Sequence, residues 1–180
     1  MTDKTGGAVI DSLRIAIKTE MVGYSYYTDL VEMLTDEKAK NVFKHLAKEE
    51  LDHIKYIIAL SDSVDAGRGW IGMKEATETD AFKNAGLPIY PEKNELMEKY
   101  KTEEGDLKAI DIAMDNEEEA VGFYSALLKD AAADTEREVL LRLVEMEKNH
   151  YDLLRWEKDS IMKMGFWADQ AEFTVEAEKE

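Results

Sequence analysis

Two stretches place a glutamate three residues ahead of a histidine: Glu50 with His53 in "KEELDH", and Glu147 with His150 in "MEKNH". On a helix that spacing puts both side chains on one face. A lone glutamate, Glu20 or Glu117, stands 30 residues before each pair. Brought together inside a protein, four carboxylates could not all stay ionised without compensation. Two divalent cations would supply it, +4 against −4. An oxygen-rich set with two imidazoles suits Fe or Mn better than Zn or Cu(I). Such a pair of metals, bridged by carboxylates and left with open positions, can activate O₂ or H₂O₂.

The six residues belong to an internal repeat. Displacing the chain by 97 positions superposes Ile15, Ala16, Glu20, Tyr27, Leu30, Val42, Leu46, Glu50 and His53 on Ile112, Ala113, Glu117, Tyr124, Leu127, Val139, Leu143, Glu147 and His150. These are nine identities in 51 gapless pairs, from 10/107 to 60/157, where ordinary residue usage gives roughly three. Every candidate ligand is among them.

The elements that must carry these residues read as helices. Apolar residues recur at helical spacing from about Val9 to Leu34, after a frayed start over residues 1–8. Thr35 or Asp36 can cap a second helix over about 37–61. Residues 62–105 hold half of the glycine and both prolines. They read as a long crossover with short helices near 74–84 and 92–102. Two more helices are expected over about 106–132 and 134–164. Residues 165–180 form a tail, aromatic first and acidic last.

Turn symmetry links the repeat to geometry. Position 35 is midway between Glu20 and Glu50, and position 132 is midway between Glu117 and Glu147. Both fall in expected turns. Residues equidistant from the turn of an antiparallel hairpin lie at one height, here about 22 Å from the turn. Each lone glutamate therefore faces the Glu-x-x-His of its own hairpin. The expected fold is all-α: one four-helix bundle over residues 1–164, made of two pseudo-symmetric hairpins.

Composition bounds the function. The 180 residues are 44% hydrophobic and 35% charged, enough for a core in one domain. A net charge of −17 argues against nucleic acid and against anionic membrane surfaces as partners. No cysteine is present, which excludes disulfides and Cys-ligated zinc or iron–sulfur sites. Neither a signal peptide nor a transmembrane run is visible, so a cytoplasmic protein is expected.

The stretches "AIKTEMVGYSYY", "HLAKEELDH", "AMDNEEEAVGFY" and "LVEMEKNH" resemble the rubrerythrin-type branch of the ferritin-like di-iron superfamily, over about residues 9–160. The resemblance implies a non-haem centre of two iron ions, with Mn as an alternative, that reduces H₂O₂ or O₂. It implies that Glu50 and Glu147 bridge the metals, that Glu20 and Glu117 are terminal ligands, and that His53 and His150 cap one metal each. It also implies a homodimer. Rubrerythrins usually carry a Cys₄ iron domain. Without cysteine, electrons are expected from a separate protein or a small reductant. Many members also place a carboxylate three residues after the third-helix ligand. Here that position is Ala120, and Glu118 and Glu119 turn about 100° and 200° away from Glu117. This bears against a redox-linked exchange of that carboxylate with a histidine, and against efficient peroxidase turnover. Two other readings stand beside this one: a ferroxidase or iron-storage protein, and a non-enzymatic interaction protein that keeps metal for structural reasons.

Further residues near the candidate ligands carry alternatives. Tyr27 and Tyr124 follow the lone glutamates by seven residues. They either donate to a ligand carboxylate or are core tyrosines satisfied elsewhere, the second being slightly preferred. Tyr24 lies nearer the ligand turn and could donate to the site. Gly23 and Ala120 are small and leave room for an oxidant or for close helix approach. His45 reads as a boundary or surface residue. Glu49, Glu118 and Glu119 read as solvated charge.

Overall fold

In the computed structural model the described residues are 4–86 and 93–168. Four long helices dominate: α1 (Lys4–Met33), α2 (Glu37–Asp65), α6 (Asp106–Asp130) and α7 (Asp134–Met164). Three short ones, α3 (Met73–Glu78), α4 (Asp80–Lys83) and α5 (Glu95–Tyr100), lie in the connection between α2 and α6. The chain is all-helical among the described residues, and α1 packs on α2 and α6 on α7 as two antiparallel hairpins. No helix among the described residues is long and apolar enough to cross a membrane.

The hairpin turns are chemically defined. Asp36 caps α2 by accepting from the N–H groups of Lys38 (2.8 Å) and Ala39 (3.0 Å). At the second turn Glu136 reaches back to the N–H groups of Ala132 and Ala133. Gly165, with φ +81°, ends α7 in the left-handed conformation that glycine adopts without a Cβ penalty.

Helix limits differ from expectation in four places. Helix α1 begins at Lys4, so Gly6 and Gly7 are helical where fraying was expected, and residues 1–3 lie outside the described residues. Helix α2 continues to Asp65, one turn further, before Gly67 (φ +73°) and Gly69 (φ +80°) redirect the chain. The expected 74–84 helix is two short helices, because the extended backbone of Thr79 ends α3 while its hydroxyl caps α4 at Phe82 N. Of the 92–102 helix only 95–100 is helical, and residues 87–92 are not described.

The core is split into two clusters. One gathers Tyr26, Tyr27, Leu30, Val42, Phe43 and Leu46 of the first hairpin with Ala109, Ile110, Ile112 and Ala113 of α6 and Leu153 and Leu154 of α7. The other gathers Leu13 and Ala16, Tyr56, Ile57, Ala59 and Leu60, Tyr124, and Val139, Leu140, Leu143 and Val144. The turn of each hairpin thus packs against the open end of the other. The residues between the clusters along all four helices are the candidate ligands. The start of the C-terminal segment belongs to the first cluster: Trp167 is 1% exposed, meets the Phe43 ring edge-on and donates Nε1–H to Asp106 at 2.9 Å.

Candidate metal centre

The midsection between the two apolar clusters buries Glu20, Glu50, His53, Glu117, Glu147 and His150, each no more than 2% exposed. Carboxylates are almost never buried so completely without a partner. Ligand atoms of Glu50, His53, Glu147 and His150 all lie within 4.8 Å of one another, a spacing that could hold a metal ion. The two imidazole rings stack, centroids 5.2 Å apart and 14° from parallel.

The contacts separate the four carboxylates into two kinds. Glu50 turns one oxygen to each histidine: Oε1 is 3.3 Å from His150 Nδ1, and Oε2 is 3.3 Å from His53 Nδ1. Glu147 does the same, with Oε1 3.2 Å from His53 Nδ1 and Oε2 3.5 Å from His150 Nδ1. Glu20 reaches His53 through Oε2 (3.3 Å), and Glu117 reaches His150 through Oε2 (3.5 Å). Their other oxygens accept hydroxyl protons from across the bundle: Tyr124 donates to Glu20 Oε1 and Tyr27 to Glu117 Oε1.

A test of fit comes from what these atoms lack. Four buried side-chain polar atoms have no hydrogen bond among the described residues: Glu50 Oε2, Glu117 Oε2, Glu147 Oε1 and His150 Nδ1. All four are in this cluster, and each of the three carboxylate oxygens lies within 3.5 Å of a histidine Nδ1. Proximity does not satisfy them. His53 Nδ1 has three carboxylate oxygens within 3.3 Å and at most one proton to share. A cation, unlike a proton, accepts lone pairs from several oxygens and a nitrogen together, so the donor set fits a carboxylate–imidazole metal site.

Protonation shows the same deficit of positive charge. Burial, then repulsion from Glu147 and Glu50, raises the Glu20 carboxyl well above its ordinary range. Burial and the Glu50 charge raise Glu117 to about 8. Burial also acts to raise Glu50, but its contacts with Glu20, His150 and His53 override it and leave Glu50 low. Burial would lower both histidines. Contacts with Glu147, Glu20 and Glu50 instead raise His53, and those with Glu117, Glu147 and Glu49 raise His150. Burial and the nearby carboxylates push Tyr27 and Tyr124 up, keeping both as hydroxyl donors.

A family model described as Rubrerythrin matches residues 11–158. The chain belongs to the rubrerythrin family. No curated protein and no solved structure matches it. The family match covers both hairpins and the connection between them, and within it lies the buried carboxylate–histidine cluster. Rubrerythrin membership and the all-helical fold agree with the resemblance read from the four sequence stretches.

The structure brings together all six residues singled out by the repeat. It corrects the preferred reading of Tyr27 and Tyr124. They are buried, but their hydroxyls bond Glu117 and Glu20 rather than groups elsewhere. Seven residues after each glutamate the side chain reaches across to the other hairpin, which the sequence spacing alone does not reveal. Tyr24 is half-buried against the first apolar cluster, and its carbonyl accepts from Thr28. Glu49 is not simply the solvated charge expected of it: its Oε2 accepts from His150 Nε2 at 2.9 Å, and hydrogen bonding to His150 lowers its pKa. The repeat carried no signal for it, since its counterpart is Met146. His45 is half-buried and lies 3.5 Å from the same Glu49 oxygen. Glu118 and Glu119 are exposed, while Ala120 is buried beside the site level.

Proposed function

We propose that this chain is a non-haem di-iron oxidoreductase that reduces H₂O₂ or O₂ with electrons from a separate donor. The four orphaned polar atoms in one buried cluster carry this reading. Rubrerythrin membership supports iron as the metal. One metal would be held by His53, Glu20, Glu50 and Glu147. The other would be held by His150, Glu117, Glu50 and Glu147. Glu50 and Glu147, each turned to both histidines, are the bridging ligands in this reading. Bound iron would supply two electrons to the oxidant and recover them from the donor.

The chain's own residues supply the rest. Tyr27 and Tyr124 fix the planes of the terminal carboxylates, as partners of metal ligands commonly do. The two apolar clusters exclude water on either side along the bundle, which strengthens every charge interaction inside. Gly23 allows close packing beside the site: a Cβ there would lie 3.1 Å from Asn116 Nδ2 and 3.7 Å from Glu50 Oε1, so glycine lets α1 approach α6 next to Glu50. The 180 residues contain no cysteine, so no Cys-ligated iron within them can relay electrons. The reading therefore includes a separate donor protein or small reductant, and extends to a homodimer.

Stopped-flow oxidation of the anaerobic Fe(II) protein tests the activity, comparing H₂O₂ with O₂. The reading expects fast oxidation by at least one of them, repeated on each addition of reductant. Oxidation no faster than that of free Fe(II) would refute it. A cage-sized particle in light scattering, with iron accumulating beyond the site, would favour storage instead.

A further inference from the structure

The repeat makes the two candidate metal positions nearly alike, and one interaction breaks that likeness. His150 Nε2 donates to Glu49 Oε2 at 2.9 Å. With its Nε2 proton held there, the ring can offer only Nδ1 to the cluster, and Nδ1 is the nitrogen left without a hydrogen bond. Glu49 is itself steadied, since His45, one turn earlier on α2, lies 3.5 Å from the same oxygen. His53 also turns Nδ1 into the cluster. Among the described residues no carboxylate pairs with its Nε2, and the repeat position matching Glu49 is Met146.

We infer that Glu49 is a positioning residue that makes the two metal positions inequivalent, the one capped by His150 being the tighter. A carboxylate on the far nitrogen of an imidazole ligand fixes its tautomer and ring plane and makes it a better donor, and losing such a partner costs about 10–100-fold in metal affinity. His150 receives this support across the bundle from α2. His53 binds without it. The first metal to enter therefore sits with His150, Glu117 and the shared carboxylates.

The inference rests on the metal reading, and one set of titrations separates them. Fe(II) is titrated anaerobically into the wild-type chain, with calorimetric detection. Two unequal steps are expected. Glu49→Ala should weaken the tighter step about 10–100-fold and leave the other in place. Glu49→Gln, which keeps an acceptor for Nε2–H, should recover part of the loss. The dependence on each histidine locates the effect. Glu49→Ala should weaken residual binding in a His53→Ala background and change nothing in a His150→Ala background. A merely structural role would weaken both steps and act in both backgrounds. Two Fe(II) bound with affinities that ignore Glu49, or an equal effect in both backgrounds, would overturn this inference alone. No Fe(II) binding by the wild type would overturn the metal reading and this inference with it.

Discussion

The hydroxyl of Tyr27, on the first hairpin, donates to Oε1 of Glu117, on the second. Tyr124 returns the bond to Glu20. The pair stitches the hairpins together at the level of the candidate ligands, and each bond satisfies a buried carboxylate oxygen. Tyr27→Phe leaves Glu117 Oε1 without its donor, at a cost of about 1–3 kcal/mol. Urea unfolding of the metal-free protein should show that loss for either single Phe variant. Unchanged midpoints in both variants would mean that the hydroxyls contribute nothing to the fold.

Metal binding should release protons. Glu117, raised to about 8, is protonated at pH 7, and Glu20, His53 and His150 are shifted in the same direction, towards holding their protons. A cation can take its ligands only after these protons leave. Affinity should therefore fall as pH drops from 8 to 6. Calorimetry in buffers of different ionisation enthalpy should detect net proton release on loading. Binding with no net proton release would contradict the protonation pattern.

The same shifts set the stability of the metal-free fold. The folded pKa of Glu117 is about 8 against an ordinary 4.5, so the folded state binds the extra proton between those values. That stabilisation is fully present below about pH 4.5 and is lost as pH rises through about 8. The raised histidines act in the same direction above their ordinary range. The melting temperature of the metal-free protein should fall from pH 6 to pH 9, whereas the loaded protein should show a weaker dependence. A metal-free melting temperature that rises over this range would refute the assignment.

Gly23 tests the close packing beside Glu50. A leucine there is a better helix former than glycine by up to about 1 kcal/mol, so the helix itself is not the casualty. Its side chain would have to enter where even a Cβ lies 3.1 Å from Asn116 Nδ2. Gly23→Leu should keep its helix content by circular dichroism while slowing oxidation of the Fe(II) form. Wild-type oxidation rates would show that the close packing at Gly23 does not shape the site.

Much of this arrangement was legible in the sequence because it repeats. Glu20, Glu50 and His53 return as Glu117, Glu147 and His150 at one offset, and helix periodicity placed the hairpin turns within a few residues. Interactions that break the repeat or cross between hairpins were not legible. Glu49 sits beside a ligand and next to charged residues, and only the packing of α2 against α7 shows that it meets His150. The tyrosine repeat was visible, but which carboxylate each hydroxyl meets depends on how the hairpins face each other. Thr79 was hidden for a local reason: one extended residue divides an otherwise helical pattern.

Trp167 lies beyond α7 and closes the end of the bundle holding the first turn. It packs on Phe43 and bonds Asp106, while the following N–H, of Ala168, donates to the buried Glu157. Trp167→Ala should cost about 3–5 kcal/mol in chemical unfolding, because it removes a large buried ring and leaves a cavity. A loss below about 1 kcal/mol would show that residues 165–168 are dispensable to the core.

The metal content of the anaerobically reconstituted protein, measured for the wild type beside Glu50→Ala, bears most directly on the reading of the buried cluster. About two iron ions per chain are expected in the wild type. Glu50→Ala, which removes a carboxylate turned to both histidines, should lose most of them while retaining its helix content. No more than trace metal in the wild type, or full occupancy in the variant, would contradict it.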